Sequence, residues 1–433
     1  MSAIEIESGR AQSEPELAAG LRSARERLGG ALAELDGTPA AGFLRAPHRP
    51  ELLREIRRFV RARPADVTDV VQLGIGGSSL GARALCRALL AERHNQTVRK
   101  PGLRFHLPDN IDPDSLGELF EMLPPRRTLI HVVSKSGATL ETLAQLFALL
   151  ESFRRRDGRG ARALRNRLVV TTGNSGAVRE FAEQEGATRL SFPDDIAGRF
   201  SILTASGLLL PALLGVQVGR VLAGARSMEA RCRTEPGGGI AGTLAALHHA
   251  HDTVRGRPIH VELIYCDALL PFGDWFRQLW AESLGKAGRG PTPVVARGTT
   301  DQHSQIQLYT EGPDDKLYTL LATGRSDRRV RIGRRAVPAA IAGRSLREVF
   351  EAEERGTREA LLEKRRPLIE IRIPRISPDT VGQLVCLQQL QTALAGALYE
   401  VDPFDQPGVE AGKRAALRIL ERGGRPSVEN PSD

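Results

Sequence analysis

The chain has 433 residues, 41% of them hydrophobic and 26% charged, which is long for one ordinary core and typical of a folded aqueous protein. No apolar run reaches the roughly 18 residues that a bilayer span needs, and the nearest, Gly207 to Gly215, is broken by Pro211. The net charge of +9 does not mark a nucleic-acid binder, because only six of the 61 basic residues are lysines and acidic residues interleave the arginines.

The start, Met1 to Glu16, is acidic and polar, unlike a secretory signal. Cys86, Cys232, Cys266 and Cys386 are scattered without Cys-x-x-Cys spacing, so free thiols in a reducing compartment, the cytoplasm, are expected. Residues 13–35 read as a surface helix with Leu17, Leu21, Leu28 and Leu32 on one side. From Asp66 the pattern becomes α/β. Three units follow, each a short apolar strand, a glycine- or hydroxyl-rich turn and a helix: Val67–Leu73 into Gly74–Gly81, Leu129–Val133 into Ser134–Thr139, and Leu168–Thr172 into Gly173–Gly176. That repetition predicts a parallel sheet covered by helices. Ser206 to Ala225 reads as helix, and Thr234–Gly239 is the clearest breaker. Beyond it, strands at Ile259–Tyr265, Thr292–Ala296, Tyr318–Thr323 and Leu368–Ile373 alternate with helices, a second α/β domain. A long helix, Pro378 to Tyr399, leads into a polar block at Asp405. The expected division is a helical segment at 1–55, α/β domains at 56–235 and 236–400, and an active-site segment with a fraying tail at 401–433.

Five blocks carry the chemistry. Gly74-Ile-Gly-Gly-Ser-Ser-Leu-Gly81 lets backbone amides approach an anion at a helix start. It is not a dinucleotide fingerprint, since Ser79 stands where the third glycine belongs. Ser134-Lys-Ser-Gly-Ala-Thr139 offers three hydroxyls and a helix start, which suits a phosphate monoester; a cap alone needs one hydroxyl. Glu282 ends an amphipathic stretch containing Phe272, Trp275, Phe276, Leu279 and Trp280. It reads as a general base if burial beside Trp280 raises its pKa, or as a surface carboxylate paired with Lys286. His303 lies in the polar loop Asp301-Gln-His303, and Lys413 closes the block that begins at Asp405-Gln406. Three of the few lysines (Lys135, Lys286, Lys413) fall inside these blocks. His248, His249 and His251 crowd together, but adjacent helical positions diverge and no metal motif accompanies them.

Six stretches in order resemble the glucose-6-phosphate isomerase family: Gly74–Ser78, Val133–Thr142, Gly198–Ser201, Gln278–Lys286, Asp301–Gln305 and Pro403–Lys413. The resemblance implies two sugar-isomerase (SIS) domains, each a parallel sheet sandwiched by helices. It implies reversible conversion of glucose 6-phosphate to fructose 6-phosphate through a cis-enediol, with no metal or organic cofactor. By the same resemblance Ser134, Ser136, Thr139 and the Lys135 amide hold the phosphate, and Gly77, Ser78, Gln278 and Gln406 meet the sugar. Glu282 carries the proton between C1 and C2, Arg199 stabilises the enediolate, and His303 with Lys413 assists ring opening. It further implies a homodimer whose partner subunit supplies the histidine, and no nucleic-acid or membrane partner. Ala197 departs from the family's usual glycine before Gly198, which puts the placement of the Arg199 loop in question. Two other functions fit the same domain type: an isomerase acting on both glucose and mannose 6-phosphate, and a non-catalytic sugar-phosphate sensor.

Overall fold

A computed structural model describes residues 3–99, 102–158, 164, 166–326 and 328–422. The tail expected to fray lies outside them. Strands that are mostly apolar are buried on both faces: β2 (Asp69–Leu73), β4 (Thr128–Ser134) and β5 (Leu168–Thr172) have every residue buried. With β3 (Arg104–His106) and β6 (Thr188–Ser191) they form a parallel sheet in the order β3-β2-β4-β5-β6. The second sheet holds β7 (Ile259–Tyr265), β8 (Thr292–Arg297), β9 (Lys316–Thr323) and β10 (Leu368–Ile373), all parallel, in the order β10-β9-β7-β8.

Side chains alternate between two cores, as the pleat requires. Val71, Ile130, Val132 and Val170 meet helices Leu140–Asp157 and Ala177–Glu185 on the outer face of the first sheet. Val70, Leu129 and Val169 turn inward to a central layer that also receives Ile264, Leu321 and Ile369 from the second sheet. This layer contains helices Val218–Cys232, Gly239–Thr253, Leu270–Leu284 and Pro378–Tyr399. The last is buried on nearly every side, which is why its apolar residues show no preferred face. No described helix is long and apolar enough to cross a membrane.

The expected strands at 129–133, 168–172, 259–265, 292–296, 318–323 and 368–373 and the helix Pro378–Tyr399 stand within two residues of where periodicity puts them. Three differences have physical causes. The amino-terminal segment is not only helical: β1 (Glu5–Glu7) pairs antiparallel with β10, and the helix read over 13–35 is two, Leu17–Arg27 and Ala31–Gly37, parted at Gly29-Gly30. The helix read over 206–225 breaks at Leu214–Gln217, where Gly215 takes a positive φ of 89°. Edge strands β3 and β6 are short and half polar, so alternation does not announce them.

Candidate active site

In an open parallel sheet, ligands bind at the carboxyl ends of strands where the strand order reverses. In the first sheet that point lies between β2 and β4. The two loops leaving it are Gly74–Ser79 and Ser134–Thr139, both singled out from the sequence. Their backbones are in contact, since a Cβ on Gly74 would sit 3.1 Å from the Val133 carbonyl oxygen. Ser134 and Thr139 hydroxyls lie 3.0 Å apart, and the Ser136 hydroxyl accepts from the Ala138 amide at 3.2 Å while remaining exposed. Hydroxyls and amides converge above the start of helix Leu140–Asp157, where the helix dipole favours an anion. Lys135 turns away. Its ammonium donates to the carbonyls of Ile196 at 2.8 Å and Asp194 at 3.1 Å, and burial lowers its pKa against the pull of Asp194 and Asp195. Only its backbone amide remains for the phosphate.

The turn that Lys135 holds leads into the 3-10 segment Gly198–Leu203 and to Arg199. This guanidinium is 1% exposed, yet its donors are well used. Nε donates to Ser283 at 2.8 Å, Nη1 to Gln406 at 2.7 Å, and Nη2 to the carbonyls of Pro403 at 2.6 Å and Asp405 at 2.8 Å. Nη1 also stands 3.4 Å from Glu282 Oε2. Burial lowers its pKa, while Glu282, Asp405 and Asp402 pull the other way. Lys286 ties the same carboxyl-terminal loop down through the Asp405 carboxylate and the Asp402 carbonyl. The Lys286–Glu282 pair considered from sequence does not form. Ala197 has φ −65° and ψ 148°, ordinary extended backbone, so its methyl leaves Arg199 in place.

Glu282 projects from helix Leu270–Leu284 with its side chain 29% exposed, and Gln278, one turn earlier, donates to its Oε1 at 2.9 Å. Trp280 is not its neighbour. Two residues apart on a helix, the side chains point to opposite faces. Trp280 enters the core, stacks on His248 and His260, and donates to the Pro291 carbonyl at 3.1 Å. What faces the Glu282 carboxylate is therefore a guanidinium and an amide.

Two glycines close the circle. A Cβ on Gly77 would lie 2.4 Å from the Gly198 carbonyl carbon and push the two loops apart, and one on Gly76 would crowd Gln278 Nε2 at 2.8 Å. Contacts thus run unbroken from the Ser134 loop through Gly74–Ser78, Arg199, Glu282 and Gln278 to Gln406. A buried polar pair supports the loop and escaped the sequence reading. Gln72 donates to the Ser78 carbonyl at 2.9 Å, and His131 bonds both Gln72 and Thr171. Burial drops the His131 pKa to about 3, which keeps the ring neutral. Polar residues inside otherwise apolar strands were the available signal.

One predicted site residue stands apart from this circle. His303 is exposed beyond the carboxyl end of edge strand β8, and no described contact ties it to Glu282 or Arg199. Lys413 lies on the exposed face of helix Glu410–Glu421. The crowded histidines diverge: His248 stacks on Trp280 and His260, His249 packs on Tyr399, and His251 bonds the Ala11 carbonyl. A cleft of about 740 Å³ lies between Arg83, Phe105, Asp267 and Arg297 and includes none of the predicted site residues.

Two parallel sheets flanked by helices, with a hydroxyl-rich loop at the first switch point and a carboxylate beside a buried guanidinium, make an α/β protein of the sugar-isomerase (SIS) architecture. A crystal structure of a hypothetical protein from Thermus thermophilus is 37% identical, with TM-score 0.84 over 96% of this chain and 99% of that one. A glucose-6-phosphate isomerase of Chlamydia trachomatis shares the fold at 22% identity, with TM-score 0.80 over 97% of this chain and 89% of that one. Glucose-6-phosphate isomerase of Rubrobacter xylanophilus is 39% identical over 394 residues, 88% of this chain and 90% of its own. The phosphoglucose isomerase family model matches residues 57–314 and 332–430, and the chain belongs to that family.

Proposed function

We propose that the protein interconverts glucose 6-phosphate and fructose 6-phosphate by carrying one proton between C1 and C2 through a cis-enediol. It is an aldose–ketose isomerase. The observation that carries the mechanism is the Glu282–Arg199 pair, a solvent-reachable carboxylate 3.4 Å from a buried guanidinium whose other donors are held by fixed acceptors. A proton beside a carbonyl is too weakly acidic to leave at useful rates in water. A positioned base together with a fixed cation on the developing enediolate lowers that barrier by on the order of ten kcal/mol.

In this reading the phosphate sits on Ser134, Ser136, Thr139 and the Lys135 amide, and the sugar runs past Gly77 and Ser78 toward Gln278 and Gln406. Glu282 removes the proton from one carbon and returns it to the other, while Arg199 stabilises the oxyanion. Ring opening needs an acid and a base near the ring oxygen. His303 stands apart from the other groups within one chain, so the partner subunit of a homodimer supplies it, with Lys413 as the second group. The exposed Leu308 near His303 and Leu417 and Leu420 on the helix of Lys413 (45–59% exposed) support an interface there. The four unpaired cysteines support a cytoplasmic setting.

The test is turnover by the purified protein, with EDTA present, on glucose 6-phosphate and mannose 6-phosphate in parallel. Conversion of the first to fructose 6-phosphate is expected. Binding of sugar phosphate without turnover would make the protein a sensor instead.

A further inference from the structure

A second cleft, of about 530 Å³, lies at the amino ends of β7, β9 and β10, the opposite end of the second sheet from the strands' carboxyl ends. The amino-terminal segment closes one side of it. Its lining holds Arg10, Arg255, Arg257, Arg365 and Arg366 against Glu14, Glu16 and Asp314. Two of these acids are already committed. Glu14 pairs with Arg255 at 2.6 Å and Arg257 at 2.7 Å, and Asp314 pairs with Arg257 at 2.5 Å and Arg366 at 3.1 Å. The guanidiniums of Arg10 and Arg365 have no ion pair or hydrogen bond among the described residues. Arg366 is committed as well: its Nη2 donates to the Thr310 carbonyl at 2.9 Å and the Gly312 carbonyl at 2.6 Å, and its Nε is buried. Glu16, exposed at the rim, leaves the lining positive.

The backbone adds an independent sign. Arg365 follows helix Leu346–Glu363 with a positive φ of 55°, and the Arg365 and Arg366 amides bond back to Leu362 and Leu361. Glycine is the relaxed residue at that helix-ending position. A strained arginine there, aimed at a cleft with surplus cations, is the kind of backbone outlier that accompanies ligand clamps.

We infer that this cleft is a second anion site, taking a small multivalent phosphate-class oxyanion on Arg10 and Arg365. Guanidinium forks match phosphate oxygens in pairs, and a ligand bridging Arg10 and Arg365 ties the amino-terminal segment to the second domain. The site is separate from the Ser134–Thr139 loop, so it does not depend on the isomerase reading.

The experiment is titration calorimetry on the full chain at constant ionic strength, with pyrophosphate in one arm and glycerol phosphate in the other. The two arms tell a free inorganic anion from a phosphate monoester. The wild type is expected to show two classes of anion site. The double variant Arg10→Ala/Arg365→Gly loses one class, weakened at least about tenfold by removal of two charge-assisted partners, and keeps the wild-type KM for sugar phosphate. Ser136→Ala weakens the other class only. Glycine at 365 relaxes the backbone, so Arg365→Gly alone melts no lower than wild type in anion-free buffer while losing the extra thermal stabilisation by pyrophosphate. Two results would overturn the inference: a double variant that retains both classes, or a wild type with only the class that Ser136→Ala weakens.

Discussion

The two sheets share one architecture and use it in opposite ways. Each has a point where its strand order reverses, between β2 and β4 in the first and between β7 and β9 in the second. At the first, the two loops that leave the strands are made of small residues and hydroxyls, with Ser136 exposed. At the second, the space is filled: the Tyr265 hydroxyl donates to Thr357 at 2.7 Å, Gly298 packs on the Tyr265 ring, and Arg347 bonds the Thr323 carbonyl. The topology supplies a switch point in both halves, and side-chain volume fills the second one. The second half contributes differently, by offering Glu282 from the flank of helix Leu270–Leu284 and Gln406 from the chain beyond its last helix.

The widest test of this division is Arg199→Lys, which keeps the charge and removes the fork. A lysine cannot serve Ser283, Gln406 and the Pro403 and Asp405 carbonyls together, so kcat should fall by about 10²–10³ with the carboxyl-terminal loop loosened. Steady-state kinetics checks the rate, and hydrogen exchange at residues 402–409 checks the loop. Next comes complementation. Glu282→Gln and His303→Ala homodimers should each be inactive, while statistical mixing after unfolding and refolding should restore about a quarter of wild-type activity, from the one intact site in each heterodimer. No recovery would place both residues in one chain's site.

On the first-sheet side, Ser136→Ala should raise KM by about five- to tenfold with kcat little changed, because the exposed hydroxyl is one phosphate donor among several. The smallest effect concerns the second half's core. Glu262 is fully buried on β7 beside Gln388, its Oε2 without a partner, and burial raises its pKa to about 8. A carboxyl with a raised folded pKa contributes stability that is whole below its ordinary unfolded value of 4.5 and is lost as pH rises toward about 8. Glu262→Gln should therefore gain stability over wild type progressively across that window, and melting curves at its two ends would show a difference only at the alkaline end.

Much of this was legible in the sequence for stated reasons. Buried strands such as Leu168–Thr172 and the capped helix Pro378–Tyr399 announce themselves by apolar runs and breakers, because both faces are covered. The hydroxyl-rich loop Ser134–Thr139 stood out because three hydroxyls exceed what a cap needs. The neighbours of Glu282 were not: Trp280 is close in sequence but opposite on the helix, whereas Arg199 is remote in sequence and adjacent in space. Nor was the role of Lys286, which holds the Asp405 carboxylate rather than Glu282. Long-range partners of polar side chains follow from how sheets and helices stack, and no local spacing records them.

Proton transfer by Glu282 is tested most directly by following the C2 hydrogen of glucose 6-phosphate by NMR in deuterated solvent. Wild-type enzyme should exchange and isomerise. Glu282→Gln should bind the substrate with unchanged affinity and do neither above about a hundredth of the wild-type rate. Exchange at more than that rate in the variant would contradict the assignment.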